Sequence, residues 1–347
     1  MTGWILALNA GSSSLKLAAF DAAGRSRLAA GIIRDVDVAA LPEESLAGAL
    51  AALSRHAGRG DPPAAVGHRV VHGLDQRSAA ELTADVLELV ERAAVFAPLH
   101  NPPALRVIAL ARTAFPQARQ IACFDTAFHA GNPPVATTFA IPAALRHAGI
   151  RRYGFHGLSY AGLVRRFETV TGMALPRRLL AAHLGAGCSM AAILEGRGVA
   201  TTMGFSPMDG LVMATRSGAM DPGVIFHLIR DGCAPAEVET LLNRTSGLLA
   251  LGGTASVQDL VARNDDAARF ALDHFAYWAC RHAGSMIAAM AGIDAIAFTG
   301  GIGENAGPVR ARILAGLGWA GIDADKSFVI PADEEAEIAR AVSDLER

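Results

Sequence analysis

Three serines and a lysine crowd a turn where an Asn-Gly pair would be enough. The stretch "ILALNAGSSSLKLAAFD" sets apolar runs Ile5–Leu8 and Leu15–Phe20 on either side of Asn9, Gly11, Ser12, Ser13, Ser14 and Lys16. A hairpin asks only for the turn pair. The surplus has a chemical reading: hydroxyls donate to phosphate oxygens, Lys16 brings positive charge, and successive N–H groups of a Gly-containing turn form an anion-binding nest. The second half echoes this stretch. "LAAHLGAGCSMAAILEG" (Leu180–Gly196) again has an apolar run, a polar residue (His183), a small-residue turn with a serine, and a second apolar run. "IAFTGGIGENAGPVRARI" adds a third Gly-rich turn that leads into a helical pattern. One such turn usually does no more than turn a corner. Two that echo each other, plus a third, fit two halves closing on one polyphosphate.

The elements that must carry these turns alternate between strand and helix patterns. Strands are expected at Ala64–Val71, Gln120–Phe124 and Leu179–His183, and helices at Ala79–Phe96 and Pro103–Phe115, which argues for α/β layers. The stretch "HAGNPPVATTFAIP" after Phe128 reads as a domain crossing. At 347 residues, 52% of them hydrophobic, the chain has material for two cores. A net charge of −2 gives no basic footprint for nucleic acid. Cys123, Cys188, Cys233 and Cys280 are scattered with no CxxC pair, which fits a reducing cytoplasm and neither a disulfide framework nor a zinc site. The apolar start stops at Asn9 without a basic flank, so no signal peptide is read. Met286–Phe298 is short and broken by Asp294, so no membrane span is read.

The blocks "NAGSSSLK", "GHRVVHG", "APLHNPP", "FDTAFH", "YGFHG", "MGFSPMDGL", "ATRSGAMDPG" and "GGIGEN" follow one another in this order. In that order they resemble the motif series of acetate kinases, within the acetate and propionate kinase group. The resemblance implies an α/β, two-domain, duplicated actin/Hsp70-like (ribonuclease H-like) fold with the active cleft between the domains. One domain would comprise residues 1–130 plus a C-terminal helix at about 334–347, and the other, nucleotide-binding and dimerising, residues 131–333. It also implies a homodimer and a reversible reaction, ATP + acetate ⇌ ADP + acetyl phosphate, with Mg²⁺ or Mn²⁺.

Residue by residue, the resemblance gives Asn9 and Glu334 as metal-holding positions, the latter from "VIPADEEAEIA". Lys16, Ser12 and Ser14 would meet phosphate. Arg69 would bind the acetate carboxylate, His156 and Arg216 would stabilise the transition state, and Asp125 would be the acidic catalytic residue. Val71, Leu99, Phe155 and Pro207 would form a small acyl pocket. His183, Leu184, Gly185, Ala186 and Gly187 would line the nucleotide, with Gly301, Ile302, Gly303, Glu304 and Asn305 from the third turn. His68, His72, His100 and His129 stand in the same blocks, either as supports of the site or as ordinary core residues. Acetate, with a carboxyl pKa of about 4 to 5, is already ionised at pH 7. Asp125 therefore reads as ordering Mg²⁺ water and arginine, not as a base.

The chain departs from the family pattern on the nucleotide side. "HLGAGCSM" has Ala186 and Cys188 where the family has Asn and Ser, and Ser256 and Gln258 stand where it has an Asp-x-Arg pair near the nucleoside. Propionate- or butyrate-type kinases, a sugar kinase of the same superfold, another phosphoryl donor, and a non-catalytic actin-like nucleotide switch are the other readings. "FDTAFH", "GHRVVHG" and "MGFSPMDGL" argue against the sugar kinase, and the retained Arg69, Asp125, His156 and Arg216 argue against the switch.

Overall fold

The computed structural model describes residues 3–11 and 14–345. Its strands are β1 (Trp4–Ala10), β2 (Ser14–Asp21), β3 (Arg27–Arg34), β4 (Ala65–Val70), β5 (Ala80–Glu81), β6 (Arg119–Phe124), β7 (Arg178–Leu184), β8 (Cys188–Leu194), β9 (Arg197–Thr201), β10 (Ala295–Thr299) and β11 (Ser327–Val329). The chain divides into two compact units. The first runs up to Ala130 and adds Phe155–Gly162 and the segment from Asp333 onward; the second holds Gly131–Gly154 and Leu163–Ala332. Among the described residues no helix is long and apolar enough to cross a membrane.

The first unit has the sheet β3-β2-β1-β4-β6-β5 and the second β11-β10-β7-β8-β9. In each sheet an antiparallel hairpin, β1–β2 or β7–β8, lies beside a parallel strand, β4 or β10. Each hairpin's second strand pairs with a third through an irregular register, at Ala19/Phe20 and at Ala192/Ile193. The echo seen in the residues is thus a duplicated α/β core. The expected helix at 79–96 is shorter than the pattern implied. Ala80–Glu81 pair with β6, and the helix Ala84–Ala93 starts only after Thr83, whose hydroxyl accepts from the Val86 N–H as an N-cap.

The period of two along the strands sorts the first unit's residues. Trp4, Leu6 and Leu8 pack with Leu46, Leu50, Leu53 and Val107 on one face. Ile5 and Ala7 of β1, Ala18 and Phe20 of β2, Ala65 of β4, and Ile121 and Cys123 of β6 face Ile338, Ala339 and Val342 of the helix Glu334–Asp344. Gly67 belongs to this face too. A Cβ there would lie 2.5 Å from Ile338 Cγ2, so the glycine lets the helix seat against β4. The next positions in the same alternation are Asn9 and Arg69, with Asp125 just past the end of β6. Because β1, β4 and β6 run parallel, all three reach the carboxyl ends of their strands, the end where open α/β sheets hold their ligands.

Candidate active site

The first unit gathers a charged cluster at those strand ends. Arg69 forks one oxygen of Asp125, Nε at 2.9 Å and Nη2 at 2.7 Å from Oδ2. Its Nη1 donates to Asn9 Oδ1 at 3.1 Å and lies 3.4 Å from Glu334 Oε2. Asn9 Nδ2 donates to Glu334 Oε2 at 2.8 Å and to Glu335 Oε1 at 2.6 Å. Lys16, the cross-strand partner of Asn9, is half-exposed with its Nζ 4.0 Å from Glu335. The two glutamates open the C-terminal helix, where the dipole favours negative charge. Burial pushes the Asp125 carboxyl up; the charge of Glu334 adds to this and Arg69 opposes it. Burial disfavours the Arg69 cation, and the charges of Asp125 and Glu334 outweigh it, leaving the guanidinium more firmly protonated than usual. Among the described residues, buried Asp125 Oδ1 has no hydrogen-bond partner.

His156 sits close by in sequence space to a constraint on its backbone. It is buried at φ = +57°, a left-handed conformation that costs a non-glycine residue about 1–2 kcal/mol. Gly157 N–H donates to the Asp125 carbonyl at 2.9 Å. A Cβ on Gly157 would lie 2.1 Å from that oxygen, so only glycine allows the approach. On the other side, buried His129 donates from Nε2 to the Phe155 carbonyl at 2.9 Å. Phe155 is fully buried, with its ring against that of His72 at 5.5 Å. Val71 is also buried and Leu99 half-buried. Buried Asn101 ties two of the sequence blocks together: Oδ1 accepts from His72 N–H, and Nδ2 donates to the carbonyls of His72 and Val90.

In the second unit, the turn after β7 closes with Gly185 N–H donating to the Gly187 carbonyl at 3.0 Å. The turn after β1 closes likewise, Gly11 N–H onto the Ser14 carbonyl at 2.9 Å; Ser12 lies outside the described residues. Gly300, at φ = +79°, passes so near the Leu184 carbonyl that a Cβ would approach it to 2.7 Å, which sets the 184–187 turn beside the helix Gly300–Asn305. His183 and Leu184 are buried, Leu184 fully. Within that short helix, Asn305 Nδ2 donates to the Gly301 carbonyl, while Glu304 accepts from Ala332 N–H. Ile302 is half-buried and Gly303 buried. Cys188 donates its thiol to the Gly185 carbonyl at 3.2 Å, and burial holds that thiol up at about 12. Ala186 accepts at its carbonyl from Ala214 N–H. Arg216 Nη1 donates to the carbonyl of Pro207 at 3.0 Å, joining two of the expected residues. The Ser256 hydroxyl accepts from Asp259 N–H as the N-cap of the helix Val257–Ala262, and Gln258 is exposed on that helix.

The structure therefore joins Asn9, Arg69, Asp125 and Glu334 directly, and Pro207 to Arg216. The sequence reading missed Glu335, Asn101 and Gly157. The "DEE" doublet would have pointed to Glu335, since successive residues at a helix start can both reach one partner. Asn101 and Gly157 act through backbone contacts distant in sequence, for which residue type alone gives no signal.

The description "Acetokinase family" fits the family model matched by residues 42–340. An acetate kinase from Methylocella silvestris is 43% identical over 297 residues, covering 80% of this chain and 74% of that protein. One from Nitrobacter hamburgensis is 39% identical over 381 residues, covering 97% and 94%. Among solved structures, a propionate kinase from Francisella tularensis superposes with a TM-score of 0.87 at 30% identity, covering 98% of each chain. With its duplicated α/β core and its matched motif series, this chain belongs to the acetokinase family.

Proposed function

We propose that this protein is an acetate kinase, transferring the γ-phosphoryl group of ATP to acetate and giving acetyl phosphate and ADP, reversibly. The observation that carries the reading is the Asn9–Arg69–Asp125–Glu334 cluster. It holds a fixed guanidinium among carboxylates at the strand ends of a chain whose relatives are acetate kinases over nearly its whole length.

Phosphoryl transfer asks for in-line placement and neutralisation of charge on the moving group. Arg69 binds the acetate carboxylate, and His156 and Arg216 meet the charge that develops in transfer. Val71, Leu99, Phe155 and Pro207 make the acyl pocket, and Asp125 holds Arg69 in place. Acetate is ionised at neutral pH, so no proton has to be removed. The 184–187 turn with His183 and the 301–305 segment take the nucleotide, the role we assign to the second unit together with self-association, while Lys16 and Ser14 of the first unit meet phosphate. A pocket of this kind discriminates by one methylene only about 10- to 200-fold, so propionate is a slower substrate.

The oxygen donors of Asn9, Glu334 and Asp125, one of them buried with no hydrogen bond among the described residues, suit a hard cation such as Mg²⁺. Among the described residues no three of His, Cys, Asp and Glu form a metal cage, so water and phosphate would complete the shell, as Mg²⁺ commonly requires. Bound there, Mg²⁺ neutralises phosphate charge. The exposed apolar side chains Val224, Phe226 and Ile229 on the helix Pro222–Arg230 support a homodimer. The four cysteines without disulfides support a reducing cytoplasm.

A hydroxamate assay for acyl phosphate with Mg²⁺, ATP and acetate, propionate or butyrate, beside an ADP-release assay on the same acids and on sugars, tests the reading. Acetate should give the highest kcat/KM. Turnover of sugars alone, or no acyl phosphate from any acid, would overturn it.

A further inference from the structure

His129 is a fully buried imidazole that the reaction itself does not use. Its Nε2 lies 2.9 Å from the Phe155 carbonyl. A carbonyl only accepts, so Nε2 carries the proton and Nδ1 is bare. Nδ1 is buried and has no hydrogen-bond partner among the described residues. The ring is wedged edge-on between Phe128, at 5.4 Å, and Tyr160, at 5.7 Å. Burial holds the imidazole down to about 4, so it is neutral at working pH. What the residue supplies is therefore one directed N–H.

The place that N–H reaches is informative. Phe155 immediately precedes His156, and Gly157 immediately follows it. One neighbour is held by His129 and the other by the carbonyl of Asp125, and both anchors belong to the single short segment 125–129 that follows β6. His156 itself sits at φ = +57°, which a histidine keeps only where its surroundings enforce it. The His156 carbonyl in turn accepts from Tyr160 N–H at 3.1 Å, and Tyr160 is the ring packed on His129.

From this geometry we infer that His129 is a positioning residue: its Nε2–H, paired with the Gly157–Asp125 backbone bond, clamps His156 in the left-handed conformation and fixes its imidazole relative to Asp125. The inference rests on the role proposed above for His156. An apolar ring at position 129 fills the space and loses the clamp. A Gln places an amide nitrogen where Nε2 stands and restores it.

Steady-state kinetics on His129→Phe and His129→Gln, each in the wild-type and His156→Ala backgrounds, separate the possibilities. His129→Phe should lower kcat about 10-fold with KM for ATP within twofold, and His129→Gln should recover to within threefold of wild type. In the His156→Ala background, His129→Phe should change kcat by less than twofold, because the clamped group is gone. Equal losses in Phe and Gln, unchanged kcat in the Phe variant, or the same 10-fold loss in both backgrounds would overturn the positioning role. An unchanged kcat for His156→Ala alone would instead sink the role of His156. Should His129→Phe fail to fold, ¹⁵N NMR of the wild-type ring decides: an Nε2–H tautomer that persists to pH 5 supports the clamp, and an Nδ1–H tautomer removes it.

Discussion

Arg69 grips one oxygen of Asp125 with two of its nitrogens, at 2.9 and 2.7 Å, and leaves the other oxygen buried, with no hydrogen bond among the described residues. The pair is a support with one face left over. Its guanidinium is fixed from behind by Asp125, and from the side by Asn9 and Glu334.

This arrangement predicts strong non-additivity. Arg69→Ala strands the buried Asp125 carboxylate and should cost about 3–5 kcal/mol, the scale for breaking one side of a buried pair. Asp125→Ala should cost less, because Arg69 keeps Glu334. The double variant should be more stable than the sum of the two losses, with a coupling of about 1–3 kcal/mol. Urea unfolding of the four proteins measures it. Additivity to within about 0.5 kcal/mol would show that the fork contributes nothing beyond two separate side chains.

Asp125 as a support, not a base, has its own kinetic signature. Asn at this position still offers an oxygen to Arg69 but carries no charge. Asp125→Asn should therefore keep the shape of the kcat–pH profile above pH 6 and raise the Mg²⁺ concentration needed for half-maximal rate. A new basic limb in the profile with the Mg²⁺ requirement unchanged would return the general-base role to Asp125.

Motif order made this cluster legible: the resemblance gave Asn9, Arg69, Asp125 and Glu334, and strand alternation did not, because the runs Ile5–Leu8 and Ile121–Phe124 are apolar at every position and buried on both faces. The duplicated hairpins were legible because a strand–turn–strand unit is a local pattern. The helix expected at 79–96 was overdrawn because its apolar period does not distinguish a short edge pairing at Ala80–Glu81 from a first helical turn; Thr83, a capping residue, marks the true start. The left-handed His156 and the Gly157–Asp125 contact were not legible, since both arise from close approach of segments about thirty residues apart in sequence. The Ser256 hydroxyl caps its own helix, a local role that its place in the motif series did not announce.

Two buried histidines make stability depend on pH. Burial holds both His68 and His129 down to about 4 from an ordinary 6.5, with Arg112 adding to the effect at His68 and the hydrogen bond to Gln120 opposing it. Between these values the unfolded chain binds protons that the folded chain does not, so stability rises with pH from about 4 to about 6.5 and these groups add no slope above that. At pH 5 each should cost on the order of 2 kcal/mol relative to pH 7.5. Unfolding free energies at pH 7.5, 6 and 5 for wild type and for His68→Gln and His129→Gln test this, the comparison being one of slopes. Each variant should lose part of the acid-side slope, and slopes identical to wild type would assign the acid sensitivity to other groups.

The phosphoryl donor should be chosen less strictly than in a family member with the usual nucleotide residues. The departures at 186–188 and 256–258 concentrate on the nucleotide side. Cys188 stands for a serine, and its thiol is taken by the Gly185 carbonyl inside the turn, so it offers no hydroxyl outward. Ala186 has no polar side chain. Ser256 is occupied as a helix cap and Gln258 is an exposed neutral amide, where the family pattern has a carboxylate and an arginine. An amide cannot offer the rigid fork of a guanidinium. Where no buried partner waits for one particular purine edge, the wrong base leaves nothing unpaired, and discrimination falls. Backbone groups survive in both glycine turns, so triphosphate binding should persist while base selectivity relaxes. GTP should reach within about tenfold of ATP in kcat/KM, a difference of about 1.4 kcal/mol. Restoring the pattern with Gln258→Arg should move the ratio toward ATP. Kinetics with ATP, GTP, CTP and pyrophosphate decide the matter, and an ATP preference above about a hundredfold in the wild-type protein would mean that other groups have replaced the missing contacts.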